Sequence, residues 1–107
     1  MKEKIRTITE KECPLEIAVN TISGKWKIPI IWHMNAGKKR PCEFLREIEN
    51  VDRRVLNQQL KEIETDGLIA KKSYNQLPPK VEYTLTELGQ KLVEVLRQLN
   101  EWGKLLQ

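Results

Sequence analysis

The sequence predicts a mainly α-helical domain of the α+β class, in which one β-hairpin is set among several helices. Three observations predict it. The chain has 107 residues, which suits a single domain with a modest core, here residues 13–107. Apolar residues recur at intervals of three and four over most of the chain, as on the buried face of a helix. Residues 68–86 instead hold two short stretches rich in β-branched and aromatic residues around a proline-containing turn, which indicates a hairpin.

The amino-terminal part of the chain is predicted to form an arm, a first helix and a central helix. Residues 1–12 show no sustained hydrophobic period and are expected to be an arm. Pro14 suits the first turn of the first helix, and Gly24 would end it. The apolar segment of residues 25–37 would be a buried central helix. Because Pro29 cannot donate a backbone hydrogen bond, we expect a kink or a late start there.

Two closely spaced helices are predicted next. A basic loop of Lys38, Lys39 and Arg40 leads into a short helix that Asn50 closes. Asp52 is a good N-cap for the helix that follows. The linker would have only about three residues, and two helices joined so tightly are a candidate helix-turn-helix.

The second helix of this pair has an apolar side and a side rich in hydrogen-bond donors. Leu56, Leu60 and Ile63 form the apolar stripe, and Gly67 is expected to end the helix in a Schellman motif, with Leu68 against Ile63. Arginine matches two acceptors of guanine, asparagine and glutamine pair with adenine, and lysine suits phosphate. The side of this helix opposite the apolar stripe therefore suits a DNA major groove. The alternative is that its polar residues only keep the helix solvated. Its donors are Arg53, Arg54, Asn57, Gln58 and Lys61.

The hairpin would follow directly, with residues 75–79 as its turn. In the second arm, Val81, Tyr83 and Leu85 alternate with polar residues, which marks a half-buried strand. The polar residues between and before them are Lys80, Glu82 and Thr84. A wing of this kind would carry basic residues on or near its arms, namely Lys71, Lys72 and Lys80.

The last helix, with Thr86 as its N-cap, has more apolar surface than one small core requires. Its main stripe consists of Leu88, Leu92, Val95, Leu99, Trp102 and Leu106. Val93 and Leu96 form a second stripe. We therefore expect part of this helix to pack on a second copy of the chain. The alternative, in which both stripes pack within one monomer, stays open.

Charge and composition favour a polyanionic partner. The net charge is +4, and residues 24–46 hold six basic residues against one acid, which makes one basic face plausible beside the alternative of a solubility surface. No group of residues has the pattern of a catalytic or metal site, so neither an enzyme nor a cofactor is expected. The absence of a long apolar run and of a secretory signal predicts a cytoplasmic protein without a membrane span.

Three stretches of the chain are characteristic as a set. They are "CPLEIAVNTISGKWKIPIIWHM", "DRRVLNQQLKEIETDGLI" and "LPPKVEYTLTELG". Together they closely resemble the HxlR-type family of bacterial winged helix-turn-helix transcription regulators, which are relatives of the MarR group. The resemblance runs from about Cys13 to Trp102, and it is most specific at "GKW" and at "PPKVEYTLTELG".

The resemblance implies a homodimer that pairs through its N-terminal and C-terminal helices. Two recognition helices would lie in successive major grooves of an inverted-repeat operator, with the wings against the flanking backbone. The recognition helix would be Asp52 to Asp66. Carried over by position, the candidate DNA contacts are Arg53, Arg54, Asn57 and Gln58 on this helix and Lys71, Lys72 and Lys80 on the wing. The basic residues Lys61, Lys39 and Arg40 complete the predicted contacts.

Some members of this family sense electrophiles, oxidants or aldehydes through a cysteine just before the proline that opens the first helix. Cys13 has this position, which makes it a candidate sensor; the alternative is a small capping residue, and both interpretations stay open. Cys42 stands where the family usually has a polar capping residue, and inert packing is expected for it. A small-molecule effector is possible and unidentified. A pocket for it near the dimer interface could be lined by Trp26, Trp32 and Trp102, but core positions are favoured for these residues.

Two functions from different classes are consistent with these residues. The first is a sequence-specific, homodimeric transcription regulator, suggested by the donor side of the second helix and by the basic hairpin. The alternative is a winged-helix protein–protein interaction module without specific DNA binding, suggested by the apolar last helix and the modest net charge. Binding to DNA that weakens steeply with salt selects the first, and a stable heteromeric partner selects the second.

Overall fold

A computed structural model describes residues 13–37 and 39–107, and these form a winged helix-turn-helix, as predicted. The elements are α1 (Pro14–Ile22), α2 (Lys27–His33), a 3-10 turn (Met34–Ala36), α3 (Pro41–Glu47), α4 (Arg53–Thr65), β1 (Ile69–Tyr74), β2 (Lys80–Leu85) and α5 (Glu87–Lys104). The predicted arm of residues 1–12 and Lys38 of the basic loop lie outside the described residues. Among the described helices, none is both long and apolar enough to cross a membrane.

The hydrophobic core lies between α2, α3, α4, the hairpin and α5. Its largest fully buried side chains are Phe44, Ile30, Ile31, Met34, Leu56, Leu60 and Ile63. The central segment is therefore buried as predicted, and so is the apolar stripe of α4. None of the α1 residues, all of which are described, is buried, so this helix lies on the outside of the domain.

The first two helices begin where their prolines allow. Pro14 is the first residue of α1, and Gly24, with a φ of 109°, follows the end of that helix. α2 begins only at Lys27, so Pro29 lies within its first turn, where a backbone N–H has no partner inside the helix. The chain thus accommodates Pro29 by the late start.

α3 and α4 form the predicted helix-turn-helix, but the turn is longer than expected. Residues 48–52 link the two helices, which makes five residues instead of about three. The difference arises because Ile48 is already extended, with its side chain buried, and Asn50 then reverses the chain with a left-handed φ of 70°. Asp52 caps α4 as predicted, since its Oδ1 accepts a hydrogen bond from the Val55 N–H at 2.8 Å.

α4 ends in the predicted Schellman motif. Gly67 has a φ of 81°, and its N–H donates to the Glu64 carbonyl at 2.9 Å. The Leu68 N–H donates to the Ile63 carbonyl at 3.2 Å. Glycine suits this position because a side chain makes the left-handed conformation costly. The motif turns the chain directly into β1.

The two strands pair antiparallel, from Ile69 opposite Leu85 at the base to Tyr74 opposite Lys80 at the turn. One part of the predicted alternation is wrong, because Glu82 is only 8% exposed. Its carboxylate accepts a hydrogen bond from the Tyr74 hydroxyl at 2.9 Å, and the Lys80 ammonium lies 3.5 Å from its other oxygen. These partners cover Glu82 and compensate its charge, so an acid is tolerated at a buried position.

α5 packs on the domain through its shorter apolar stripe. Val93 and Leu96 are buried, whereas most of the longer stripe is exposed on the surface, including Val95, Leu99 and Trp102. The structure therefore places the surplus apolar surface on the side of α5 that faces away from the core.

Thr86 joins the end of α4 to the start of α5. Its hydroxyl accepts a hydrogen bond from the Gly89 N–H at 3.0 Å, as predicted for the N-cap, and donates one to the Gly67 carbonyl at 2.6 Å. Its own N–H donates to the Leu68 carbonyl at 3.0 Å. Gly89 is buried against this joint, and a Cβ there would overlap the carbonyl oxygen of Leu68.

Candidate nucleic-acid interface

The donor side of α4 faces solvent. All of its predicted donors are exposed, while the apolar stripe on the opposite side of the helix is fully buried. The side chains of α4 therefore divide as the sequence predicted. We call the exposed set the donor face, and it consists of Arg53, Arg54, Asn57, Gln58 and Lys61.

The cations of the donor face keep their charge available. Within the part of the chain that the structure describes, no carboxylate forms an ion pair with Arg53, Arg54 or Lys61. Their hydrogen-bond donors are therefore not committed to any of the acids that the structure describes. Such cations can bind phosphate or base acceptors without first breaking an internal ion pair.

A buried lysine on α2, which the sequence pattern did not predict, contacts the far end of α4. The Lys27 side chain is 9% exposed, and its ammonium lies 3.1 Å from Glu62 Oε1 and 4.0 Å from Asp66 Oδ2. Lys27 thus compensates two acids near the end of α4 and ties α4 to α2. The sequence feature that could have indicated this contact is the single cation inside the otherwise apolar stretch "WKIPIIW".

The hairpin presents two exposed lysines. Lys71 and Lys72 on β1 are exposed, whereas Lys80 is half-buried and paired with Glu82 at 3.5 Å. The ring of Tyr74 lies under the ammonium groups of Lys72 and Lys80, at 5.4 and 4.9 Å from its centroid. Such cation–π contacts hold the lysine side chains near one another. Lys80 brings less uncompensated charge to the wing than the sequence alone predicts.

The two described residues of the basic loop differ in the same way. The Lys39 side chain is 13% exposed, with its ammonium 3.0 Å from Glu47 Oε1, whereas Arg40 is exposed. The hydrogen bond from Lys39 holds the pKa of Glu47 below its ordinary value of 4.5, and His33, with Nδ1 at 3.3 Å, also lowers it. The backbone of Lys39 pairs with that of Tyr83 on β2 at 2.9 and 2.8 Å. Lys39 therefore serves mainly to tie the loop to α3 and the hairpin.

Two clefts show that α4, the hairpin and the start of α3 share one face. The first is lined by Arg53 and Lys61 of the donor face and by Lys71 of the hairpin. The second is lined by Arg53 again, by Arg40 at the start of α3 and by Pro78 in the hairpin turn. Cations from three elements thus converge on one surface.

Both cysteines are exposed. Cys13 is the N-cap of α1, and Cys42 is the second residue of α3, where it lines the second cleft beside Arg40. The expectation that Cys42 is packed is wrong, because α3 directs Phe44 into the core and leaves Cys42 exposed on the side of the cleft. That its thiol is inert stays a prediction.

The tryptophans are divided between core and surface. Trp26 and Trp32 are partly buried against the core, as expected. The same expectation is wrong for Trp102, which belongs to the exposed stripe of α5.

This combination of elements is shared with known proteins. Residues 21–107 match the HxlR-like helix-turn-helix family. The chain belongs to that family. This confirms the resemblance seen in the sequence. Among relatives, the HxlR-type chain is 45% identical over 105 residues to the uncharacterized HTH-type transcriptional regulator YybR of Bacillus subtilis (strain 168), an alignment that covers 97% of this chain and 84% of YybR.

Two solved structures are similar in both fold and sequence. The redox regulator HypR in its reduced form superposes with a TM-score of 0.82 at 44% identity, over 86% of this chain and 91% of the HypR chain. A transcriptional regulator of the MarR family from Enterococcus faecalis V583 superposes with a TM-score of 0.82 at 40% identity, over 94% of this chain and 92% of the other. The protein is thus a transcriptional regulator of the HxlR/MarR type, a class whose members are not enzymes.

Proposed function

We propose that this HxlR-type regulator binds a specific DNA sequence as a homodimer, with the α4 helices of the two protomers in successive major grooves of an inverted repeat. The donor face of α4 carries the proposal. Its side chains are exposed, its cations have no carboxylate partner among the described residues, and it lies beside a basic hairpin.

The donor face matches the groups that DNA exposes in the major groove. Arg53 and Arg54 lie in the first turn of α4, the part of a recognition helix that enters the groove. Each guanidinium can donate two hydrogen bonds to O6 and N7 of guanine. Asn57 and Gln58, one turn further, can pair with N6 and N7 of adenine. Lys61 at the far end suits a phosphate.

The neighbouring cations would hold the DNA backbone. Lys71 on the hairpin and Arg40 at the start of α3 line the two clefts beside the donor face, and Lys72 is exposed on the same strand as Lys71. Phosphate contacts of this kind fix the orientation of a protein on the duplex without reading its sequence. Lys39 and Lys80 already face carboxylates of this chain, so we expect them to contribute less to DNA affinity.

The exposed apolar residues of α1 and α5 support the homodimer. Scattered surface hydrophobics are normal, but exposed apolar residues at helical spacing on two terminal helices are typical of an interface between subunits. A two-fold pairing through these helices would present two donor faces to one duplex. The exposed residues that would be covered are Leu15, Val19, Leu88, Val95, Leu99, Trp102, Leu105 and Leu106.

We further propose that an oxidant or electrophile changes DNA affinity through Cys13. This thiol is exposed at the start of α1, the helix that carries Leu15 and Val19 of the proposed dimer face. Modification there would alter how the protomers pair and therefore how far apart the two α4 helices lie. The likeness to HypR, a redox regulator, supports the idea.

The sensor is tested by adding diamide to the protein on its DNA. Diamide takes two hydrogen atoms from two thiols and leaves a disulfide, which would here join the Cys13 residues of the two protomers. The wild type should change its affinity, and so should Cys42→Ser, whereas Cys13→Ser should not respond. A Cys13→Ser protein that responds like the wild type would show that Cys13 is not the sensor.

DNA binding is tested by fluorescence anisotropy with the region upstream of the protein's own gene, over a range of KCl concentrations. Binding should weaken steeply with salt, because bound phosphates release counterions. Arg53→Ala and Arg54→Ala should each weaken binding by about tenfold to a hundredfold, the scale of one bidentate base contact. Arg97→Ala is the control, since Arg97 is an exposed arginine on α5 whose guanidinium, unlike those of Arg53 and Arg54, already pairs with Glu94 at 2.6 Å and donates to Asn35 at 2.9 Å. Its removal should leave DNA binding unchanged.

The outcomes separate the two candidate functions. If both α4 variants bound as tightly as the wild type, another surface would have to contact the DNA. If the protein bound no DNA at low salt and instead co-purified with a stable heteromeric partner, the interaction-module alternative would replace the proposal.

A further inference from the structure

The turn of the hairpin carries an apolar residue that the fold does not use. Leu77 is 95% exposed, whereas the next most exposed of the large hydrophobic residues described, Leu105, is 78% exposed. The other residues of the turn, 75–79, are exposed as well. A leucine left in water contributes nothing to the core. A partner that covered Leu77 would therefore gain the free energy of burying its side chain.

The turn also differs in charge from the arms that carry it. Lys71, Lys72 and Lys80 flank it, but residues 73–79 contain no charged side chain. A segment whose role was to neutralise phosphates would carry cations. The turn instead combines two amide side chains with a leucine and two prolines. Proteins place residues of these types in the minor groove, where amides contact base edges and apolar side chains act as wedges.

The turn is held beside the donor face. Pro78 and Pro79 restrict the backbone of the turn, and the pairing of Tyr74 with Lys80 closes its base. Pro78 lines the same cleft as Arg53, the first residue of α4. With α4 in a major groove, the turn therefore lies next to the neighbouring minor groove.

We propose that Leu77 is an apolar wedge that enters this minor groove and packs against, or partly between, two adjacent base pairs. The inference rests on the proposed function, since it requires α4 in the adjacent major groove. Asn75 and Gln76 would donate hydrogen bonds to the acceptors on the groove floor. Because the cost of unstacking depends on the base step, the wedge would add a preference for flexible steps such as TA, outside the base pairs that α4 contacts.

The test uses a DNA duplex selected from a random-sequence pool by the wild-type protein. Leu77→Ala should bind it about tenfold more weakly, the scale expected for the lost burial of a leucine. The dependence of affinity on salt should stay the same, because no phosphate contact is removed. Leu77→Met should retain most of the affinity, since methionine has a similar apolar volume.

Lys71→Ala is the matched control on the same hairpin. Removing a phosphate contact should lower the salt dependence, by about one in the slope of log affinity against log salt. A second readout is the fluorescence of 2-aminopurine placed at successive flanking positions of the duplex. Wild-type protein should raise the fluorescence at one flanking step by unstacking it, and Leu77→Ala should abolish that rise.

The results distinguish a failure of the wedge from a failure of DNA binding itself. A wild-type protein that selects no duplex would overturn both proposals. Equal affinity and equal 2-aminopurine signals for the wild type and Leu77→Ala would overturn the wedge alone. A loss of salt dependence in Leu77→Ala, like that of Lys71→Ala, would overturn it too, because Leu77 would then act by positioning the lysines. Weaker self-association of Leu77→Ala in sedimentation equilibrium would assign Leu77 to a contact between copies instead.

Discussion

Replacing Gly89 with alanine should destabilise the domain, although alanine is the better helix former. Gly89 lies in the first turn of α5 and is buried against the end of α4. An added Cβ would overlap the Leu68 carbonyl oxygen and lie 3.1 Å from Cδ2 of Leu85. The same carbonyl accepts the Thr86 N–H at 3.0 Å, so its displacement would also weaken the joint between α4 and α5.

The size of the effect follows from these contacts. The overlapping atom belongs to the backbone, which cannot rotate aside as a flexible side chain would. Overpacking of this kind costs about 1–3 kcal/mol, and the weakened hydrogen bond costs about 1 kcal/mol more. The helix propensity of alanine offsets about 1 kcal/mol at most. The net loss of about 2 kcal/mol would lower the unfolding midpoint of a domain of this size by about 10 °C.

Thermal unfolding followed by circular dichroism measures this change. The protein concentration must be the same for every variant, because self-association raises the apparent stability. Gly103→Ala is a matched control in the same helix, at a position where no heavy atom lies within 4 Å of the added Cβ. It should be neutral or stabilise the domain by about 0.5–1 kcal/mol. A Gly89→Ala protein as stable as the wild type, or midpoint shifts of the same sign in both variants, would refute the reasoning about the joint.

Other parts of the molecule allow three more tests. The hydrogen bond from Lys39 lowers the pKa of Glu47, so this pair should stabilise the fold above pH 4.5 and stop doing so as the pH falls through the lowered pKa. The Glu47→Gln protein lacks this titrating group, so its stability, measured by urea unfolding, should fall less steeply in acid than that of the wild type. Leu99→Glu should give a folded monomer in sedimentation equilibrium, and an intact dimer would place the interface elsewhere. Bound DNA should slow maleimide labelling of Cys42, which lines the cleft with Arg53, more than that of Cys13, and equal rates would move the DNA away from the cleft.

Features that depend on neighbouring residues could be predicted from the sequence. Asp52 caps α4 through a bond to a residue three positions away, and Gly67 ends the helix through bonds within one turn. The spacing of Leu56, Leu60 and Ile63 sets which side of α4 is buried, and the donor face follows on the other side. Each of these rules operates within a few residues, so the pattern along the chain contains the necessary information.

Features that depend on distant residues could not be predicted in this way. Cys42 lies on the side of a cleft that the hairpin helps to form, so its exposure follows from the packing of two elements. Glu82 is buried because Tyr74 on the other strand donates a hydrogen bond to it. The alternation of apolar and polar residues along β2 contains no information about that partner.

The sequence by itself determined the order of the elements, the buried stripe of α4 and the family to which the chain belongs, because these follow from local spacing and from motifs. Only the tertiary structure decided which of the protein's many cations have no carboxylate beside them to compensate their charge. Lys39 is paired with Glu47 and Lys27 with Glu62, whereas Arg53 and Arg54 have no acidic partner among the described residues. The physical reason is that an ion pair depends on the distance between two charged groups in space, and that distance is set by how the helices and the hairpin pack together.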